Sequence, residues 1–229
     1  MRCLLLLGLL AVTGCATPPA ADTDPFILPP DALFSRVRTI ALMPMGVAVS
    51  LEHSASVARH YEALVTSRLE AAGFAVIPSS AYMSIHKEVA AYMSSGDLDD
   101  EGKRVVRDYA LRELLARHGG DALLYPLISL VGVDPSGRSA VWHGIEESTA
   151  GEPGSKAGVA ANGRTLPALS FIVLLTGTGG ESYYADAGGV QLLAHLREDR
   201  LVDVPRDELL TDDARNERAV ALALGRLVR

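Results

Sequence analysis

The chain has 229 residues, of which 48% are hydrophobic and 21% are charged. This composition indicates a folded protein with a sizeable core and excludes an intrinsically disordered chain. The formal net charge of −7 disfavours a surface for nucleic acid or anionic lipid, because both need clustered Lys and Arg.

Residues 1–14 have the pattern of a secretory signal peptide. Arg2 supplies a positive charge, residues 4–12 form an apolar run, and small residues follow. The run is shorter than the roughly 20 apolar residues that a membrane-spanning helix needs. We therefore expect residues 1–14 to be removed on export.

The end of this segment, Val12-Thr13-Gly14-Cys15, resembles the lipobox of bacterial lipoproteins. The resemblance implies cleavage between Gly14 and Cys15 and acylation of Cys15 on its thiol and its new amino group. Several acyl chains anchor a protein stably, because each buried CH2 contributes about 0.8 kcal/mol. By the sorting pattern of such lipoproteins, Ala16 implies the outer membrane, with the protein facing the periplasm. The alternative is an ordinary signal peptide with an incidental cysteine.

The cysteine count restricts the chemistry of the mature domain. The two cysteines are Cys3, inside the signal, and Cys15. The domain beyond Cys15 therefore has no disulfide, no cysteine-ligated zinc and no cysteine nucleophile. Loss of Arg2 leaves 20 basic and 28 acidic residues, a net charge of −8.

Residues 15–35 are predicted to be the lipidated cysteine and a proline-rich tether. Five residues of this segment are proline, which favours an extended, semi-rigid chain of about 3.1 Å per residue. Phe26-Ile27-Leu28 interrupts the tether. These three residues can pack on the domain or dock a partner, and we expect packing.

Residues 36–229 are predicted to form a single α/β domain. An apolar strand at 38–45, a helix at 54–72 and a strand at 74–78 form a βαβ unit, which makes the two strands parallel. Helices are predicted at 81–93 and 103–118, and strands at 121–131 and 139–146. The segment 147–164 is rich in Gly, Ala and Ser and is predicted to be a long loop.

The C-terminal part is predicted to be a hairpin followed by a helix. Residues 166–176 are apolar on both faces, which indicates a central strand, whereas 183–196 alternate and predict one buried face. Thr211 or Asp212 is positioned to cap the last helix. The fold class is therefore α/β, a three-layer or two-layer mixed sheet with an N-terminal parallel βαβ unit, a C-terminal antiparallel hairpin and a C-terminal helix.

No motif in the chain predicts catalysis, a cofactor or a metal. Gly177-Thr178-Gly179-Gly180 is followed by a strand rather than a helix, which favours a turn over a phosphate loop. Residues 97–101 lack the pattern of a calcium loop. Trp142 beside His143 is either a ligand-stacking aromatic or an ordinary sheet residue. The histidines lack the spacing of a zinc site; they are His53, His60, His86, His118, His143 and His195.

Several segments together resemble an α/β family of envelope lipoproteins. It includes the curli-secretion-channel lipoproteins, the activators of penicillin-binding proteins and the N-terminal domain of the Tol periplasmic protein. The resemblance runs from about residue 36 to 228, and its motifs are fold motifs without catalytic residues. The motifs are Ile40-Ala41-Leu42-Met43-Pro44-Met45, the step at 72–77, Gly119-Gly120-Asp121 and the stretch 184–193.

The resemblance implies a non-catalytic protein-binding or assembly role at the envelope. We expect a lipid-anchored protein that binds other envelope proteins, with 147–164 as a candidate contact because function concentrates on loops. The chain lacks segments that alternate like the strands of a membrane barrel, which argues against a pore. The alternatives are an oligomeric subunit of a secretion or transport complex and a periplasmic enzyme on the same fold.

Overall fold

The computed structural model describes residues 24–93, 99–150, 165–197 and 200–228. Within these ranges the helices are α1 (Pro30–Arg36), α2 (Ser54–Ala71), α3 (Ser79–Met93), α4 (Asp100–His118) and α5 (Asp213–Leu224). The strands are β1 (Thr39–Leu42), β2 (Gly46–Val47), β3 (Ala75–Ile77), β4 (Ala122–Val133), β5 (Pro135–Ser136), β6 (Ser139–Trp142), β7 (Ile145–Ser148), β8 (Leu166–Gly177), β9 (Ser182–Leu192), β10 (Ala194–Arg197) and β11 (Arg200–Asp203).

The main sheet contains six strands in the order β3-β1-β4-β8-β9, with β2 beside β4. The strands β3, β1 and β4 are parallel, whereas β4, β8 and β9 are antiparallel. This arrangement confirms the predicted mixed sheet with an N-terminal βαβ unit. The structure also confirms that residues 177–180 form the turn of a hairpin, since β8 before them pairs with β9 after them.

Helices α1, α2 and α5 cover the first face of this sheet. Alternate residues of the strands point into this layer, because side chains of a strand alternate between the faces. The largest buried members of the cluster include Tyr61, Tyr184, Phe171, Leu69 and Leu124. Asp212 caps α5, as its carboxylate accepts a hydrogen bond from Arg215 N at 3.1 Å.

The second face is covered at its two ends by different structures. Helices α3 and α4 pack on Ala41, Ile77 and Leu123 at one end. A small sheet of β5, β6 and β7 covers Leu166 and Ala168 at the other end. At both ends of the second face the domain therefore has three layers: the helices of the first face, the main sheet, and either α3 and α4 or the small sheet.

The predicted strand 139–146 is wrong, because these residues form a hairpin. Strands β6 and β7 pair antiparallel, and His143 and Gly144 turn the chain with φ of +38° and +79°. The predicted loop 147–164 begins too early, since Glu147 and Ser148 belong to β7. Residues 151–164 lie outside the described ranges.

The second arm of the long hairpin differs from its prediction in two respects. Gln191 is buried, and its Oε1 accepts a hydrogen bond from Leu210 N at 3.1 Å. Both faces of β9 are therefore covered there, because the segment after β11 folds back over the first face. The chain also leaves the main sheet after Leu192, and β10 pairs with β11 instead, a strand that the sequence did not predict.

The tether predicted to reach residue 35 is too long. Helix α1 begins at Pro30, where proline is well tolerated in the first turn of a helix. Phe26 packs with Tyr184 at a ring-centroid distance of 5.1 Å, which confirms that this part packs on the domain. From Asp24 onward the chain belongs to the folded body, with Asp24 paired to Arg226 at 3.6 Å.

Candidate interaction surface

The middle of the second sheet face carries apolar side chains that the described residues leave uncovered. Tyr125 and Leu127 on β4 are 36% and 38% exposed, although they lie in a central strand. Ile172 and Leu174 of β8 pair directly with them and are half-buried. We call this patch the apolar strip; it consists of Tyr125, Leu127, Ile172, Leu174, Ala185 and Ala187.

The strip lies between two walls. At one end of the strip, helix α4 packs on Leu123 of β4. At the other end, His143 contacts Ser170 of β8, which pairs with Ser129 of β4. Six residues of β4 separate these two ends, a distance of about 20 Å at roughly 3.3 Å per residue. The strip is therefore a trough that runs across the strands, with no charged side chain in its floor.

The sequence predicts strands that are covered on both sides, but the helices in the described part of the chain do not cover the whole second face. Helices α3 and α4 precede β4 and pack on Leu123, and Arg107 and Asp108 of α4 lie near enough to Tyr125 to influence its pKa. After β4 the one long helix among the described residues is α5, and it packs on the first face. Among residues 24–93, 99–150, 165–197 and 200–228, no element covers the centre of the second face, which is how the trough arises.

The N–H groups along the edge of β9 are already bonded, which favours the open face over the edge as a contact surface. The N–H of Ala185 donates to Pro25 O at 3.0 Å, and Gly189 N donates to His143 O at 2.9 Å. Between them, Ala187 N donates to the carboxylate of Asp186 at 2.8 Å. A strand added at this edge would therefore find the N–H groups of Ala185, Ala187 and Gly189 already bonded.

His143 and Ser170 resemble a nucleophile–base pair but are not placed for catalysis. His143 Nδ1 lies 2.8 Å from Ser170 Oγ. The Ser170 side chain is fully buried in the sheet, so a substrate cannot reach its hydroxyl. Burial lowers the pKa of His143, and the negative charge of Asp186 opposes this shift. The pair joins the turn of the small hairpin to the main sheet.

Two further residues singled out from the sequence have structural contacts. Trp142 is buried and donates from Nε1 to Leu169 O at 3.3 Å, so it is a sheet residue and not a ligand-stacking aromatic. Glu147 accepts from Leu192 N and from Arg215 Nη1, both at 2.9 Å. Both oxygens of Glu147 are thus used inside the domain, so the first residue of the expected contact loop is not free for a partner.

The sequence predictions about metal sites and membrane-spanning helices can be compared with the described residues, whereas the lipidation site lies before them. Among the described residues, no group of three or more His, Cys, Asp or Glu is placed to hold a metal ion. In the same ranges, no helix combines the length and the apolarity that crossing a bilayer requires. Gly14 and Cys15 precede the first described residue, so cleavage and lipidation stay predictions.

Comparisons with known proteins give no family for the chain. No family model matches, and no curated protein matches. Among solved structures, the chain is similar to lipoprotein GNA1162 from Neisseria meningitidis, with a TM-score of 0.35 and 12% identity over 66% of this chain and 81% of that one.

The chain is also similar to the PelC dodecamer from Paraburkholderia phytofirmans in two crystal forms. For a variant in one form the TM-score is 0.40, with 12% identity over 85% of this chain and 91% of PelC. For the other form the TM-score is 0.38, with 10% identity over 84% and 89%. TM-scores of 0.35 to 0.40 are too low to establish the fold or the function of this chain.

Proposed function

We propose that this protein is a lipid-anchored, non-catalytic protein of the bacterial envelope that binds a segment of a partner protein on the apolar strip. The observation that carries the proposal is the strip itself. Leu127 and Leu174 are accessible at the centre of a sheet face whose two ends are covered. A contiguous exposed apolar patch on a folded protein marks an interaction site.

The dimensions of the trough favour an amphipathic helix as the occupant. The walls stand about 20 Å apart at backbone level, and an α-helix with its side chains is about 10–12 Å across. Ala185 and Ala187 at the β9 end give a floor low enough for close approach of a helix. A helix with one apolar stripe would bury that stripe on the strip and leave its polar side in water.

The anchor predicted at Cys15 supports a partner that is itself in the envelope. The described part of the chain begins at Asp24, and Pro25 beside it accepts a hydrogen bond from Ala185 N at one end of the strip. Nine residue steps from Cys15 to Asp24 reach at most about 32 Å. A domain held so close to a bilayer meets membrane proteins and other lipoproteins first.

A non-catalytic role agrees with the use of the polar groups around the strip. The hydroxyl of Ser170 is buried beneath His143. The Tyr125 hydroxyl bonds with Thr176, and burial raises the pKa of Tyr125 above its ordinary value, so this phenol stays neutral. Neither group is an activated nucleophile or a base poised near neutrality.

The experiment is a crosslinking pull-down from native membranes with matched variants. Leu127→Glu and Ala185→Glu place a charge in the strip, whereas Val141→Glu alters a residue that is 61% exposed outside it. The proposal predicts that one partner is captured by wild type and Val141→Glu and lost from both strip variants. Cys15→Ser should lose the same partner by releasing the domain from the membrane.

The outcome also separates the proposal from its rivals. Capture that survives both strip variants removes the strip as the binding site. A ladder of self-crosslinks that the strip variants abolish shows that a second copy occupies the strip, which replaces the partner protein with an oligomeric assembly. Circular dichroism of each variant must match wild type, so that loss of capture reports binding and not unfolding.

A further inference from the structure

Strand β4 continues beyond the strand that pairs with one of its edges. Ala48, directly after β2, donates from its N–H to Ile128 O at 2.9 Å. Successive residues of a strand direct their N–H and C=O groups to opposite edges, so Leu130 and Gly132 face the same edge as Ile128. Strand β4 itself runs on to Val133. The edge of β4 over residues 129–133 therefore extends past β2.

This stretch of edge has unpaired backbone groups. Among the residues that the structure describes, none bonds to the N–H of Leu130 or to the N–H and C=O of Gly132. Within the same ranges, the Leu130 carbonyl accepts one long hydrogen bond, from Ser129 Oγ at 3.5 Å. A strand edge with free N–H and C=O groups is a template on which another strand can pair.

The side chains along this edge do not protect it. Natural edge strands are shielded by charges, proline or bulges, whereas residues 129–133 read Ser-Leu-Val-Gly-Val and pair with β8 without a bulge. The Leu130 side chain is 54% exposed. By contrast, the exposed strand β11 carries Arg200 and Asp203 at its ends. The edge of β4 thus combines free backbone groups with an apolar, uncharged surface.

We propose that this edge pairs with the same edge of a second copy of this chain. In antiparallel pairing centred on Val131, Leu130 of each copy exchanges hydrogen bonds with Gly132 of the other. This register uses the backbone groups that are unpaired in one copy. It also fits the free length, because each β4 ends at Val133, opposite Ser129 of the other copy and before the position that β2 occupies.

The side chains that meet in this register are complementary in size and charge. Leu130 lies opposite Gly132 of the second copy, so a large side chain faces a position without one. A Cβ at Gly132 would come within 2.6 Å of the Thr165 methyl group, so this methyl group offers the leucine an apolar contact. Val131 lies opposite Val131, and residues 129–133 contain no charge. A second copy therefore buries both leucines without opposing like charges.

The contact is small, because it joins one short stretch of strand from each copy. Interfaces that bury less than about 1,200 Å² are typical of transient association, so we expect a weak and reversible dimer. The edge is separate from the apolar strip, and the inference does not rest on the function proposed above.

The test is disulfide crosslinking of the full-length protein in native membranes under mild oxidation. Val131→Cys should form a disulfide-linked dimer, because the two positions face each other at the Cα separation of about 4.5 Å that a disulfide spans. Val141→Cys is the matched control, since Val141 is 61% exposed but lies on β6, and it should stay monomeric. The protein without an added cysteine should also stay monomeric, because the predicted lipidation occupies the thiol of Cys15.

A second substitution shows whether the edge itself makes the contact. Leu130→Lys in the Val131→Cys protein should lower the yield of dimer by about tenfold, since the burial of two leucines is lost. Sedimentation in mild detergent gives a test without any cysteine. The mass of wild type should rise toward that of a dimer with increasing concentration, and that of Leu130→Lys should not.

Four results would overturn the proposal. Equal dimer yields from Val131→Cys and Val141→Cys would indicate random collision. A yield that Leu130→Lys does not lower would remove the edge as the contact. A disulfide from position 131 to a different protein would assign the edge to a strand of that protein. A wild type that stays monomeric at every concentration would show that the two edges do not pair.

Discussion

Tyr61 on α2 donates a 2.8 Å hydrogen bond to Oδ1 of Asn216 on α5, and both side chains are buried. Asn216 in turn donates from Nδ2 to Leu210 O at 3.0 Å. Burial raises the pKa of Tyr61 far above its ordinary value, so the phenol remains a donor at any physiological pH. This chain of bonds joins the two long helices over the first face and the segment that leads into α5.

Replacement of Tyr61 by Phe tests this bridge. Tyr61→Phe leaves Oδ1 of Asn216 buried without its donor, and we expect unfolding to become easier by about 1–3 kcal/mol. Urea unfolding followed by circular dichroism measures the change. Tyr92→Phe is the control and should leave the midpoint unchanged, because Tyr92 is exposed. An unaltered midpoint for Tyr61→Phe would show that the bridge contributes nothing net.

Gly188 tests how closely α5 approaches the sheet. A methyl group at Gly188 would overlap the backbone of Ala219 on α5, which has no room to yield. We expect Gly188→Ala to destabilise the protein by about 1–3 kcal/mol through overpacking. In Gly46→Ala the one close contact of the new methyl group is with the end of the flexible Leu127 side chain, at 2.8 Å, so the melting temperature of this variant should stay near that of wild type. Equal melting temperatures for the two variants would contradict this account.

His143 predicts a pH dependence of stability. Burial lowers the pKa of His143 below its ordinary value of 6.5, with Asp186 opposing the shift. The folded state thus favours the neutral ring, and below about pH 6.5 the unfolded chain binds more protons than the folded one. The stability that the neutral ring contributes is therefore complete above that pH and is lost as the pH falls through the folded-state pKa.

The matched variant His143→Gln isolates this contribution from the carboxylates, which also titrate. Between about pH 7.5 and pH 5.5 the urea midpoint of wild type should fall further than that of the variant. A parallel fall for both proteins would show that His143 does not carry the effect. Because the ring is partly exposed, we expect the difference to be modest.

Local patterns in the sequence predicted individual strands and helices, but they did not predict the contacts between distant parts of the chain. The run of apolar residues in β8 correctly indicated a central strand. Of Thr211 and Asp212, the two residues predicted as caps of the last helix, Asp212 caps α5. The pairing of Asp121 was not foreseen: its Oδ2 accepts from Arg38 N and Thr39 N, both at 2.8 Å, and holds the start of β1. Such a contact over 82 residues or more cannot be deduced from local patterns.

The candidate site was missed for a similar reason. Leu127 looks like a core residue in sequence, since apolar strands suggest a sheet covered on both faces. Its exposure follows from where α4 ends and where the hairpin turn at His143 lies, and both are tertiary facts. The one signal in the sequence was the scarcity of helices after β4. Tyr92 shows the same limit, because the helical spacing assigns it to the core and the structure exposes it.

Photo-crosslinking from the apolar strip shows whether a partner protein lies on it. A photo-reactive phenylalanine analogue replaces Leu127 in one variant and Val141 in the other, and membranes are irradiated under native conditions. We expect one specific crosslinked partner from position 127 and none from position 141, because only the first lies in the trough. Equal crosslinking from both positions, or none from position 127, would contradict this expectation.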